Sequence, residues 1–80
     1  MQPIRFREFL YCIDDRVGIV KGRNLTHAID QAIIEAFGMR IVRSDLFYHI
    51  ELTDGESYYS RYVRFRSGKP YEVVDRREGE

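Results

Sequence analysis

The sequence predicts an α+β domain in which a single helix packs on an antiparallel sheet of four to five strands, in the order ββαβββ. Three observations carry that expectation. The segment Leu25 to Phe37 places apolar residues at helical spacing. The stretches on both sides of it alternate with the period of two that suits half-buried strands. Between the last strands lies Thr53-Asp54-Gly55-Glu56, where Asp-Gly supplies the positive φ angles of a tight hairpin turn. A hairpin, then a helix, then a strand is also how a β-grasp fold begins, and that topology is the alternative.

The elements follow in order. Ile4 to Ile13 is rich in strand formers but of mixed parity. Ile4 and Phe6 share one face while Phe9, Tyr11 and Ile13 share the other, so a bulge near Arg7-Glu8 is expected. Asp14-Asp15-Arg16 reads as a turn, and Val17-Gly18-Ile19-Val20 as a short return strand before Gly22. In the helix, Leu25, Ala28, Ile29, Ala32, Ile33, Ala36 and Phe37 form one stripe, and its small alanines suit a helix lying close on a sheet. Asn24 or Thr26 can cap its start. Gly38 suits the left-handed residue at its end, with Met39 closing back on the last turn. Ile34 points away from the stripe and is a candidate contact residue.

After the helix, Leu46, Tyr48, Ile50 and Leu52 share one strand face, with Phe47, His49 and Glu51 opposite. The partner strand runs from Ser57 to Arg66. Tyr59, Val63 and Phe65 face one way, with Arg61 the odd member, and Tyr58, Ser60, Tyr62, Arg64 and Arg66 face the other. Ser67-Gly68-Lys69 turns the chain into a last strand, Tyr71 to Val74, where Pro70 suits an edge. Residues 1–75 thus form a single domain, and 76–80 a charged tail that frays. At 80 residues and 9.6 kDa there is room for one core, burying about 60–65% of the unfolded surface. Eleven aromatic rings compensate for that small size.

Composition excludes several function classes. Thirteen basic residues balance thirteen acidic ones, so bulk positive charge does not hold this chain to nucleic acid. Among the basic residues arginine outnumbers lysine eleven to two, which follows from a GC-rich genome or from a surface built for planar, bidentate contacts. No apolar run approaches the roughly 18 residues of a spanning helix, and Met-Gln-Pro-Ile-Arg-Phe-Arg-Glu is not a signal peptide. A cytoplasmic protein is expected. A single cysteine, Cys12, rules out an intramolecular disulfide and a cysteine-based zinc cluster.

Chemistry-bearing patterns are sparse. His27 and His49 lack a second ligand at metal-site spacing, so no metal and no cofactor are expected. Asp14-Asp15 reads as turn chemistry before it reads as an acid–base pair. Cys12 near a strand end reads as a small core residue, although a pairing with a distant histidine would make it a nucleophile. Lys21 and Arg23 before the helix could support an anion, without a P-loop pattern. Asn24-Leu25-Thr26 matches a glycosylation acceptor but is explained by capping. Arg61, Arg64, His49 and Glu51 on neighbouring strands are the residue types of a metal-free ribonuclease. Small bacterial toxins that cut messenger RNA carry two helices and a basic excess, and this chain has neither.

The most informative stretch is Tyr58-Tyr59-Ser60-Arg61-Tyr62-Val63-Arg64-Phe65-Arg66. One face of it carries rings followed by guanidinium groups, and Phe47 and His49 extend that face onto the preceding strand. Arg5 or Arg7 could join from the first strand. Such a face fits a protein partner, whose interfaces favour tyrosine and arginine. It also fits single-stranded RNA or DNA, or cross-strand packing with no partner. Glu56, Glu72, Asp75, Glu78 and Glu80 at the other edge would leave the face locally basic. Partner-binding candidates are Tyr58, Tyr62, Arg64, Arg66, Phe47 and His49, and no catalytic residue is assigned. An unpaired Tyr71–Val74 edge would permit a homodimer.

In size and layout, from the helix Leu25–Phe37 through the Asp54-Gly55 hairpin to the Ser67-Gly68 turn, the chain resembles the small single-helix α+β proteins of bacteriophages and mobile elements, some anti-CRISPR proteins among them. The resemblance is architectural and transfers no signature residues. It implies a non-enzymatic, stoichiometric inhibitor that occupies a surface on a host complex such as a CRISPR effector. The neutral charge argues against DNA mimicry.

Overall fold

A computed structural model describes residues 6–38 and 44–74. Five strands and one helix follow in the expected order: β1 (Arg7–Ile13), β2 (Arg16–Gly22), α1 (Leu25–Phe37), β3 (Leu46–Thr53), β4 (Tyr58–Phe65) and β5 (Glu72–Val74). The sheet order is β2-β1-β3-β4-β5, with every pairing antiparallel. β2 and β3 both run antiparallel to β1, so they point the same way, and only a crossover can join them. The helix is that crossover. This differs from the β-grasp alternative, in which the first strand would pair in parallel with the last.

Local chemistry explains the element ends. Asn24 takes an extended conformation and its side-chain oxygen accepts the His27 N–H at 2.8 Å, the cap expected there. Gly38 ends the helix at φ 77°, and its N–H donates to the Ile34 carbonyl at 2.7 Å. The contact expected of Met39 lies outside the described residues. At the β3–β4 turn, the Asp54 carboxylate accepts from the N–H groups of Glu56 and Ser57 at 3.0 and 2.8 Å. Arg7 donates to its other oxygen at 2.7 Å. These two backbone bonds, ahead of the Arg7 charge, hold the Asp54 carboxyl below its usual pKa.

The helix covers the face that carries Phe9, Tyr11, Ile13, Val20, Ile50, Leu52, Val63 and Phe65, all buried against Ala28, Ile29, Ala32 and Ile33. The small residues permit close approach. A Cβ on Gly22 would stand 2.7 Å from the Ala28 nitrogen, so the start of the helix rests almost directly on β2. At the other end, Phe37 meets Tyr48 and Phe65 at ring-centroid distances of 5.1 and 5.3 Å, and Arg16 lies 4.7 Å over its ring. Tyr71 ties β5 to the helix by donating to Asp30 at 2.8 Å. No helix among the described residues is long and apolar enough to cross a membrane.

Three expectations change. No bulge interrupts β1: its register with β2 is continuous from Arg7↔Gly22 to Ile13↔Arg16. The parity conflict disappears because the strand begins at Arg7, leaving Phe6 outside it and against the His27 ring at 6.0 Å. Ile4 lies outside the described residues, as does the tail 76–80. Cys12 is not a core residue. It alternates with buried Tyr11 and Ile13, so it sits half-buried on the uncovered face, 3.4 Å from the Asp14 carbonyl. Ile34 is half-buried, not fully exposed.

Candidate functional site: the uncovered sheet face

With the helix on one face, the alternate residues of the same strands form the other. The registers set them in rows across the sheet. One row runs Ile19, Leu10, Thr53, Tyr58; the next runs Val17, Cys12, Glu51, Ser60; a third pairs His49 with Tyr62; the last is Phe47, Arg64, Glu72.

The two ends of this face differ. At the Phe47 end the candidate side chains come together. Phe47 stacks on Tyr62 at 5.5 Å and 24°, and His49 packs on the same tyrosine at 4.9 Å. Arg64 reaches 6.0 Å from the Phe47 ring and pairs with Glu72 at 3.4 Å. Arg66 meets the same Glu72 carboxylate at 3.6 Å. Thus Glu72 does not lie at a remote edge, as the sequence reading had it, but between the two arginines, because β5 folds back beside β4. The face is not strongly basic.

The opposite end is apolar. Val17 is 67% exposed, Tyr58 63%, Ile19 60% and Leu10 48%, and they form one patch across β2, β1 and β4. Beside it is a depression of about 120 Å³ reached by Leu10, Val17 and Tyr58. Tyr58 therefore belongs to this end, apart from the other candidates. Leu10, Val17 and Ile19 escaped the sequence reading. The tight Asp14-Asp15 turn fixes the parity of β2 relative to β1, and that signal would have found them.

Other expected participants go elsewhere. Arg61 lies on the helix side of β4, opposite Ile50, and its guanidinium donates to the Ser60 carbonyl at 2.8 Å. The four residues of a metal-free ribonuclease are therefore split between two faces. Arg7 is held by Asp54 at the hairpin end, and Arg5 lies outside the described residues. The start of the helix is closed by its own groups: Asn24 accepts the His27 N–H, and the His27 ring accepts from the Arg23 N–H at 3.1 Å.

One polar arrangement in the middle of the face was not anticipated. His49 Nε2 lies 2.5 Å from the Ser60 hydroxyl, and its Nδ1 lies 3.4 Å from the Glu51 carboxylate. Tyr58 also bonds to Glu51, and that bond, ahead of desolvation and charge, raises the phenol pKa. A serine, a histidine and a carboxylate in this order resemble a hydrolytic relay. Hydrolysis also needs N–H donors aimed at a developing oxyanion. The Glu51 amide is taken by the ladder with β1, whose register ends at Ile13↔Ile50, one residue short of His49. His49 and Glu51 are also open to water. The arrangement ties β3 to β4 across the middle of the face. Among the described residues no group of three or more His, Cys, Asp or Glu could hold a metal.

Fold and site together define a small α+β domain with one face sealed by a helix and the other open. No protein-family model matches the sequence, and no curated protein or solved structure matches it either.

Proposed function

We propose that this is a non-enzymatic binding protein that engages a protein partner through the uncovered sheet face. One observation carries the reading: Arg64 and Arg66 share the single Glu72 carboxylate, so half of the positive charge beside the Phe47–Tyr62 stack is already offset within the domain. A face of rings, aliphatic side chains and internally paired arginines is suited to protein contact, where buried rings and forked arginines anchor and a phosphate backbone is absent. Tyr62, Arg64, Phe47 and His49 are the anchors at one end, Tyr58 with Leu10 at the other. Arg66 rims it. The architectural resemblance extends the proposal to a stoichiometric inhibitor of a host complex, acting by occupying a surface.

A second reading, single-stranded RNA or DNA, draws on the stacked Phe47–Tyr62 pair with His49 beside it. Fluorescence anisotropy with random-sequence single-stranded RNA and DNA, at low and physiological salt, separates the two. The protein-partner reading expects no binding at low salt. Micromolar binding that weakens with salt and vanishes in Arg64→Glu/Arg66→Glu would overturn it in favour of the nucleic acid.

A further inference from the structure

The two edges of the sheet are not alike. β5 is three residues long and follows Pro70, a short and blunted edge. β2 is seven residues long, contains no proline and no bulge, and no strand lies on its outer side among the described residues.

Turn geometry tells which groups that edge presents. Asp14-Asp15 is a two-residue hairpin turn with Asp14 at φ 56°, so its closing pair, Ile13 and Arg16, exchanges hydrogen bonds. Counting by twos, Tyr11↔Gly18 and Phe9↔Val20 do the same. The N–H and C=O groups of Val17, Ile19 and Lys21 therefore point away from β1, into the open. The side chains of these same three residues lie on the uncovered face.

We infer that this edge pairs with a second copy of itself, antiparallel, about a two-fold axis at Gly18. Outward-pointing residues must meet outward-pointing residues, which restricts the register to steps of two. With the axis at Gly18, Val17 faces the partner's Ile19 and Ile19 the partner's Val17. Lys21 comes opposite the partner's Asp15, so opposite charges close both ends of the pairing. Moving the axis to Ile19 would instead set Lys21 across from the partner's Val17, leaving a charge over an aliphatic and no ion pair. Gly18 presents no side chain at the axis, where a Cβ would crowd the ends of the Tyr11 and Glu35 side chains at 2.7 and 2.6 Å. The product is one continuous ten-stranded sheet. It joins the two apolar patches, Leu10, Val17 and Ile19 from each copy, into a single central surface flanked by two Phe47–Tyr62 ends. This assembly does not depend on which partner the face binds.

Sedimentation equilibrium of the full chain across micromolar concentrations is expected to show twice the 9.6 kDa chain mass. Ile19→Lys keeps the fold, because that side chain is already in water, and raises the dissociation constant about thirty-fold or more by placing a charge inside the pairing. Ile19→Pro, which removes one outward N–H, does the same while circular dichroism stays unchanged. For the register, a mixture of Cys12→Ser/Val17→Cys and Cys12→Ser/Ile19→Cys chains is expected to crosslink as heterodimers. A monomer at all concentrations, or a dimer indifferent to Ile19→Lys, would overturn the inference. Efficient crosslinking of Cys12→Ser/Ile19→Cys alone would overturn the Gly18 axis.

Discussion

Two faces of the same five strands differ only in the parity of the residues that form them, yet they behave as different materials. On the helix side, Phe9, Ile13, Ile50, Val63 and Phe65 have no contact with water. On the other, the rows Ile19-Leu10-Thr53-Tyr58 and Phe47-Arg64-Glu72 are open or half-open. The difference teaches where stability sits in so small a domain and where the proposed recognition would sit. Burial against the helix supplies the folding free energy, which leaves the outer face free to be chosen for contact.

That division can be broken by substitution. The largest effect is expected at Phe65, whose ring packs on Phe37, Tyr48 and Tyr71. Phe65→Ala should cost about 3–5 kcal/mol, enough to unfold much of a domain this size, as read by urea denaturation. Gly22→Ala comes next. Its Cβ would press on the backbone of Ala28, and forcing the helix away from β2 should cost about 1–3 kcal/mol. Retained wild-type stability in either variant would mean that the helix does not seal this face as described.

A smaller change sharpens the comparison at the turn that sets the β3–β4 register and so assigns residues to faces. The Asp54 carboxyl has a lowered pKa in the folded chain, chiefly from its bonds to the Ser57 and Glu56 amides. The folded state therefore holds the charged form more tightly than the unfolded chain does. That stability is present above the unfolded pKa of about 3.9 and is lost as pH falls through the lower folded value. In Asp54→Asn, the denaturation midpoint should fall less steeply between pH 5 and pH 2, measured at about half-unit steps.

The smallest effects on folding belong to the outer face. Tyr62→Ala and Arg64→Ala should each lower stability by about 1 kcal/mol, because they remove half-open packing and an ion pair whose Glu72 side is open to water. A true anchor among them should nevertheless cost about 2 kcal/mol or more of partner binding. Unfolding of either variant would show that this face is part of the core.

Much of this was legible in the sequence. Leu25, Ala28, Ile29, Ala32 and Ile33 repeat at helical spacing, and Asn24 and Gly38 bound them; these are local signals, read without neighbours. Alternation in Leu46–Leu52 and Tyr59–Phe65 correctly separated inward from outward residues, because the pleat repeats every two residues whatever lies alongside. The position of Phe6 was misjudged because parity alone does not show where a strand starts. Cys12 was misplaced because a small sulfur-bearing residue fits either face.

What the sequence determined by itself is the set of elements, their order and the face each strand residue shares with its neighbours, since period and turn chemistry are properties of short segments. Which face the helix covers, that Glu72 sits between Arg64 and Arg66, that Ser60, His49 and Glu51 meet, and that β2 and β5 are the two edges were decided by the tertiary structure alone. Each of these depends on which strands lie side by side. That pairing is fixed by burying the whole apolar face at once, a property that no single segment carries.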